Sequence, residues 1–210
     1  MSVVADNLVR IYGLLGDVNL IAVSKTQSIE KIREALSAGQ RVFGENRVQE
    51  AEKKFFLLRT DYPDIELHLI GALQTNKVRA AVELFNVIQT VDRPALAEAL
   101  ARAIKKTRRR PRLYIEVNIG KEPQKAGVTP EKIEEFLIYC REKCELEISG
   151  LMCIPPQDQN PRPFFQRMRK LADQFSLPHL SMGMSADFEI AVECGATEIR
   201  VGTGVFGVRG

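Results

Sequence analysis

The sequence predicts an α/β protein, a single (β/α)8 TIM barrel over residues 1–210 with an extra N-terminal helix. Eight short apolar runs alternate with longer amphipathic segments, which is the pattern of alternating strands and helices. No linker rich in Ser, Gly or Pro divides the chain, and its 210 residues lie near the lower limit of about 200 for such barrels. A doubly wound open sheet has similar alternation and remains the alternative, although eight repeats favour a closed barrel.

The eight apolar runs are the predicted strands. The first, LIAVS, is apolar on both faces, as expected for a strand buried in a parallel sheet. In chain order the predicted strands are 20–24, 41–44, 66–71, 86–91, 113–119, 147–152, 179–182 and 198–201.

The amphipathic segments between the strands are the predicted helices. Ser28 and Asp92 stand where N-caps are expected, and Pro94 falls in a first helical turn. Gly39 and Gly195 lie just past helix ends, where glycine is preferred. An N-terminal helix at 3–15 precedes the others, which are 29–38, 47–58, 75–85, 93–106, 130–144, 163–175 and 186–194.

The composition excludes several classes of protein. Thirty Lys and Arg residues against 27 Asp and Glu leave a net charge of +3, too balanced for charge alone to indicate nucleic acid or an anionic membrane. Four cysteines are too few for the disulfide framework of a small secreted domain. The chain carries no recognisable signal peptide or apolar membrane span, so we expect a cytoplasmic protein.

Lys25 follows the first predicted strand directly. In parallel α/β proteins ligands bind at the carboxyl ends of the strands. A lysine in a dehydrated pocket loses part of its proton affinity and becomes a nucleophile for a carbonyl group, so it can form a Schiff base. The alternative interpretation is a lysine that reaches solvent at the barrel rim.

Glycine-containing turns after the seventh and eighth strands predict an anion site. SMGMS follows the seventh strand and GTG the eighth, and such turns commonly bind phosphate in barrels. We expect Ser185 to stand at a helix start, where its hydroxyl and the backbone amides converge on an anion. The alternatives are ordinary turns at Gly202 and Gly204 and an ordinary N-cap at Ser185.

Arg200 is predicted to point into the barrel, because side chains alternate along a strand. Ile199 and Val201 share one face of EIRV, and Glu198 and Arg200 share the other. An inward guanidinium could donate to a ligand, or it could form an internal ion pair with Glu198 or Glu45.

Other candidates carry weaker signals. His68 and His179 lie within predicted strands and are expected to be hydrogen-bonded core residues. Cys140 and Cys144 share a helix face but lack further ligands at zinc spacing, so no metal site is predicted. The basic run at 105–110 is interpreted as a solvated helix end, with RNA or acidic lipid contact as the alternative.

Seven sequence blocks, in order along nearly the whole chain, resemble the pyridoxal-phosphate homeostasis protein family. That family is similar in fold to the barrel domain of bacterial alanine racemase and binds pyridoxal 5'-phosphate (PLP). The blocks are AVSKT at 22–26, FGEN-x-VQE at 43–50, HLIG-x-LQ-x-NK at 68–77, VNIG-x-EPQK-x-G at 117–127, GLM-x-IPP at 150–156, LSMGMS-x-DFE at 180–189 and R-x-GT-x-x-FG at 200–207.

The resemblance implies a role for each of seven residues. Lys25 would hold the cofactor as a Schiff base, and Arg200 would face the pyridine nitrogen. The phosphate would be bound by Ser185, Gly202 and Thr203, and the cofactor would be lined by Asn46 and Met184.

The resemblance favours a carrier that stores, buffers or delivers PLP without catalysis, with apo forms of PLP enzymes as possible recipients. An arginine at the ring nitrogen leaves that nitrogen unprotonated and weakens the ring as an electron sink. The alternative is an amino-acid racemase, for which a second base opposite Lys25 is missing, since Tyr114 and Tyr139 fall in a strand and a helix. We expect a monomer or weak dimer and neither nucleic acid nor membrane as partner.

Overall fold

Eight parallel strands form a closed barrel. The computed structural model describes residues 2–207, and in that range the strands are ordered β1 to β8, with β8 pairing back to β1. Leu20 lies opposite Ile199 and Ile21 opposite Arg200 across the closing pair. The predicted (β/α)8 barrel is therefore confirmed, and the open sheet is excluded.

The strands agree with the predicted runs to within two residues at each end. β8 has the predicted bounds, and β3 and β5 end two residues earlier than predicted. The strands are β1 Asn19–Val23, β2 Val42–Glu45, β3 Glu66–Leu69, β4 Val87–Val91, β5 Arg112–Val117, β6 Ile148–Cys153, β7 His179–Ser181 and β8 Glu198–Val201.

Every predicted helical segment contains a helix, and a short helix follows β8 that the sequence did not indicate. The segment 75–85 begins as a 3-10 turn, and 130–144 is divided into a 3-10 turn, an α-helix and a π-helical turn. The helices are α1 Val3–Leu15, α2 Ile29–Ser37, α3 Val48–Asp61, α4 Val78–Leu84, α5 Pro94–Thr107, α6 Ile133–Ile138, α7 Arg162–Gln174, α8 Phe188–Glu193 and α9 Thr203–Phe206.

The helix-capping predictions are correct at Ser28 and Gly39 and wrong at Asp92. Ser28 accepts a hydrogen bond from the backbone N–H of Lys31 at 3.4 Å, and Gly39 has a φ of +93° just past α2. Asp92 is not a cap, because α5 has Arg93 at its N-cap and the Asp92 carboxylate pairs with the Arg93 guanidinium at 2.5 Å.

Helix α1 covers the seam where the barrel closes. Its apolar residues recur every three or four positions, so Val4, Leu8, Ile11 and Leu15 are buried together on one face. This face packs against α2, α8 and α9, which flank β1 and β8. None of the helices in residues 2–207 is long and apolar enough to cross a membrane.

Candidate functional site

A cavity of about 440 Å³ opens at the carboxyl end of the barrel. Its volume is in the range of small-ligand pockets. All seven residues that the resemblance singled out lie on its wall. The lining residues are Val23, Lys25, Gln27, Asn46, Ile70, Ile154, Gln157, Met184, Ser185, Arg200, Gly202, Thr203 and Gly207.

Lys25 lies two residues beyond the end of β1 and is half-buried in this cavity. Strand alternation places it on the same face as Ile21 and Val23. Ile21 lies close to Gly44, where an added Cβ would be 2.9 Å from the Ile21 side chain. Ser24 points the other way, toward the helix layer, where its hydroxyl donates to Glu45 Oε1 at 2.6 Å. The lysine therefore faces the ligand cavity while its neighbour in the chain is anchored outside the barrel.

Lys54 of α3 holds the segment that carries Lys25. Its Nζ donates to the carbonyl oxygen of Ser24 at 2.8 Å, to Glu45 Oε1 at 3.1 Å and to Glu50 Oε1 at 2.6 Å. Glu50 Oε1 also accepts from the backbone N–H of Thr26 at 2.6 Å. Both chain neighbours of Lys25 are thus tied to one cluster, Glu45, Glu50 and Lys54.

The two carboxylates of this cluster differ in their environment. Burial raises the pKa of Glu45, against the opposing hydrogen bond from Ser24 and the charge of Lys54. Burial also acts to raise the pKa of Glu50, but the hydrogen bonds from Lys54 and the Thr26 amide outweigh it, so that pKa is lowered. Glu50 is therefore the better partner for the Lys54 charge.

The turns after β7 and β8 meet at Ser185. Its Oγ accepts a hydrogen bond from the backbone N–H of Gly204 at 3.4 Å, which joins the two predicted anion-binding turns. Ser185 does not start a helix as predicted, because α8 begins at Phe188 with Asp187 at its N-cap. The Asp187 side chain instead accepts from the backbone N–H of Met184 at 2.6 Å and closes a turn around Ser185.

Asn46 places a buried hydrogen-bond acceptor on the cavity wall. Its Oδ1 is buried on the cavity wall and makes no hydrogen bond within the described residues. Gly71 packs directly on the Asn46 backbone, where a Cβ would lie 2.4 Å from the carbonyl oxygen. A buried acceptor without a partner costs about 1–3 kcal/mol, so a ligand that donates to Asn46 would offset that cost.

Arg200 points into the barrel, as strand alternation predicts, and is 4% exposed. Its Nη1 donates to Ser181 Oγ and its Nη2 to the carbonyl oxygen of Cys153, each at 2.8 Å. Neither of the alternative ion pairs, with Glu198 or Glu45, forms. Burial lowers the pKa of the guanidinium, but arginine keeps its charge at neutral pH.

Comparison with known proteins identifies the family of this chain. The model of the alanine racemase N-terminal domain matches residues 1–210. A pyridoxal phosphate homeostasis protein from Aquifex aeolicus is 44% identical over 199 residues, which cover 90% of this chain and 86% of that protein. This chain belongs to the pyridoxal phosphate homeostasis proteins.

Solved structures agree with this family assignment. PipY of Synechococcus elongatus, determined without PLP, has a TM-score of 0.90 and 44% identity, covering 97% of this chain and all of that one. A second PipY structure, with PLP bound, has a TM-score of 0.88 at 42% identity. Alanine racemase from Corynebacterium glutamicum has a TM-score of 0.77 at 20% identity and covers 98% of this chain and 60% of that one, which shows a shared fold.

Sequence reasoning missed six residues of the cavity wall in this family member. Val23, Ile70 and Ile154 could have been found, since Val23 shares a strand face with Lys25, and Ile70 and Ile154 directly follow β3 and β6. The others sit in loops whose path no local pattern indicates. The six residues are Val23, Gln27, Ile70, Ile154, Gln157 and Gly207.

The weaker candidates lie away from the cavity. His68 is buried and hydrogen-bonded, as predicted. The same prediction for His179 is wrong, because this residue is partly exposed and its ring stacks on that of Tyr114, with 5.5 Å between the ring centroids. Cys140 and Cys144 are buried and free. The basic run 105–110 forms the exposed end of α5 and the residues after it.

Proposed function

We propose that this protein binds PLP and serves in intracellular cofactor homeostasis by storing, buffering or delivering it. The observation that carries the proposal is that one cavity contains an inward lysine, two linked turns at Ser185 and an inward arginine. PLP presents an aldehyde, a phosphate and a ring nitrogen, so each of the three features of the cavity has a matching group on PLP.

Each residue has a distinct proposed role. The Lys25 amine holds the aldehyde as a Schiff base, and Arg200 donates to the ring nitrogen. The orphan acceptor of Asn46 and the side chain of Met184 complete the wall. The phosphate is bound by Ser185, Gly202 and Thr203.

The placement of the tyrosines supports a carrier over a racemase. Bound PLP supplies an electron sink, and racemisation additionally needs a second base opposite Lys25. Tyr114 donates to Glu198 at 2.7 Å inside the barrel, where burial raises its pKa. Tyr139 donates to Glu98 at 2.6 Å on the outer surface. Among the described residues that line the cavity, none is a Tyr, His or Cys.

We also propose a setting for this role. Apo forms of PLP enzymes are the proposed recipients, in the cytoplasm, and the chain acts as a monomer or weak dimer. The four free, buried cysteines support a reducing compartment.

The test uses protein loaded with PLP in two parallel assays. One measures transfer of PLP to an apo PLP enzyme, and the other measures racemisation of L-alanine and other small amino acids. We expect transfer and no racemisation above the rate of free PLP. Lys25→Arg keeps the charge but cannot form a Schiff base, so it should fail to load, whereas Lys53→Arg on the surface of α3 should load normally. Robust racemisation that is lost in Lys25→Arg would establish the racemase instead.

A further inference from the structure

A continuous chain of buried polar side chains runs through the barrel interior beneath Arg200. Ser181 Oγ accepts from Arg200 and donates to Gln89 Oε1 at 2.7 Å. Gln89 Nε2 donates to Glu198 Oε2 at 3.0 Å and to His68 Nδ1 at 2.8 Å. None of these five residues is more than 4% exposed. The chain therefore lies in a low-dielectric interior, where broken hydrogen bonds are costly.

The donors and acceptors of this chain fix one another. A guanidinium only donates, so the Ser181 oxygen must accept from it and its hydroxyl hydrogen must go to Gln89. The Gln89 amide then has a single orientation, with its oxygen toward Ser181 and its NH2 toward Glu198 and His68. Because His68 Nδ1 accepts, the ring proton sits on Nε2 and is donated to Glu66 Oε1 at 2.7 Å.

The end of this hydrogen-bonded chain that is farthest from Arg200 is also fixed by hydrogen bonds. Glu198 Oε1 accepts from the Tyr114 hydroxyl at 2.7 Å, so each carboxylate oxygen has a donor. Glu66 also accepts from the Arg112 guanidinium. Gln89 therefore has no other low-energy orientation, and Ser181 has a fixed hydroxyl.

Arg200 is held by neutral groups. Its two hydrogen-bond acceptors within residues 2–207 are the Ser181 hydroxyl and the Cys153 carbonyl. The carboxylate of Glu198 is reached only through Ser181 and Gln89. Since a guanidinium carries five N–H groups, this arrangement fixes its plane and leaves donors for a ligand in the cavity.

We propose that Ser181 and Gln89 are positioning residues that aim Arg200 at the ring nitrogen of PLP. The proposal rests on the proposed function. Neither residue lines the cavity, so their effect on PLP passes through the arginine. The free energy of binding should thus depend on residues deep in the barrel, with a dependence specific to the ring nitrogen.

The test compares two ligands across matched variants. The ligands are PLP and its deaza analogue, in which a carbon replaces the ring nitrogen. The variants are Ser181→Ala and Gln89→Leu, with Thr197→Val as the control. Thr197 directly precedes β8, and its hydroxyl oxygen accepts from the backbone N–H of Leu180 in β7 at 2.7 Å. The control therefore also loses a hydrogen bond to β7, but away from Arg200.

We expect the wild type to bind PLP about tenfold or more tightly than the analogue, because only PLP accepts a charge-assisted hydrogen bond. In Ser181→Ala and Gln89→Leu the ratio of the affinity for PLP to the affinity for the analogue should fall toward one, mainly because PLP binds more weakly. Thr197→Val should keep the wild-type ratio. The ratio of the two affinities is measured on one protein preparation, so a partial folding defect cancels.

The outcomes separate this inference from the proposed function. Wild-type preference that persists in both variants would overturn the positioning role. If the wild type forms no adduct on Lys25 with either ligand, the proposed function is wrong, whatever the variants show.

Discussion

Lys25 owes its position to the residues on either side of it. Ser24 and Thr26 are both bound by the cluster Glu45, Glu50 and Lys54, and Thr26 adopts a φ of +63°, which few residues other than glycine tolerate without support. The cluster thus stabilises a tight bend that turns the lysine from strand direction into the cavity.

Lys54→Met tests this anchor. The change removes three hydrogen bonds and leaves the buried Glu45 carboxylate without its ion-pair partner, so the free energy of unfolding should fall by about 3 kcal/mol. PLP should also bind more weakly, since residues 24–26 lose their support. Denaturant unfolding and PLP titration measure the two effects. The exposed neighbour substitution Lys53→Met should change stability by no more than about 0.5 kcal/mol, and equal effects of the two variants would refute the anchor.

We predict that Glu116 makes the stability of the protein depend on pH. Burial raises its pKa to about 7, and the Asp92 charge adds to the effect while Arg200 opposes it. Between the ordinary value of 4.5 and about 7, the folded protein binds a proton that the unfolded chain has lost. The free energy of unfolding should therefore fall as pH rises through that window, by on the order of 3 kcal/mol.

Glu116→Gln removes this titration. The free energy of unfolding of this variant should not show the fall between pH 4.5 and 7 that Glu116 causes in the wild type. At pH 8 the variant should therefore be more stable than the wild type. Urea unfolding at pH 5 and pH 8 provides the comparison, with the exposed Glu52→Gln as control. Parallel pH dependence in wild type and Glu116→Gln would show that Glu116 is not the responsible group.

At the scale of elements, helix α1 offers a clean test of backbone preference. Among residues 2–207, no atom outside the local backbone lies within 4 Å of a Cβ added at Gly13, inside the helix, or at Gly16, its C-cap. Gly16 has a φ of +55°, whereas Gly13 lies in the helix. Gly13→Ala should stabilise the protein by about 0.5–1 kcal/mol, and Gly16→Ala should destabilise it because alanine is strained at positive φ. Thermal unfolding distinguishes them, and a loss of stability in Gly13→Ala would contradict the helical assignment.

At the same scale, some helix ends could be predicted from single residues and others could not. Local signals were sufficient at Ser28, Pro94 and Gly39, where one residue type fits one backbone position. They were insufficient at Asp92, whose carboxylate pairs with a neighbouring arginine instead of a helix amide. The π-helical turn Tyr139–Lys143 could not be predicted from the spacing of apolar residues, because it changes only the hydrogen-bonding partners of the backbone within an unbroken amphipathic segment.

At the scale of the whole molecule, strand alternation and the strand-end rule could bring Lys25, Ser185 and Arg200 together before the structure was known. The rule works because parallel strands all deliver their carboxyl ends to one rim. The polar chain in the interior could not be predicted. Gln89 and Glu198 are 109 residues apart, and each alone is indistinguishable from a polar residue at a strand edge.

The central claim is that Lys25 holds PLP. The most direct measurement is borohydride reduction of the PLP-loaded protein followed by peptide mass mapping. We expect one reduced adduct, on Lys25, and its loss in Lys25→Arg but not in Lys53→Arg. An adduct on other lysines, or none, would contradict the claim.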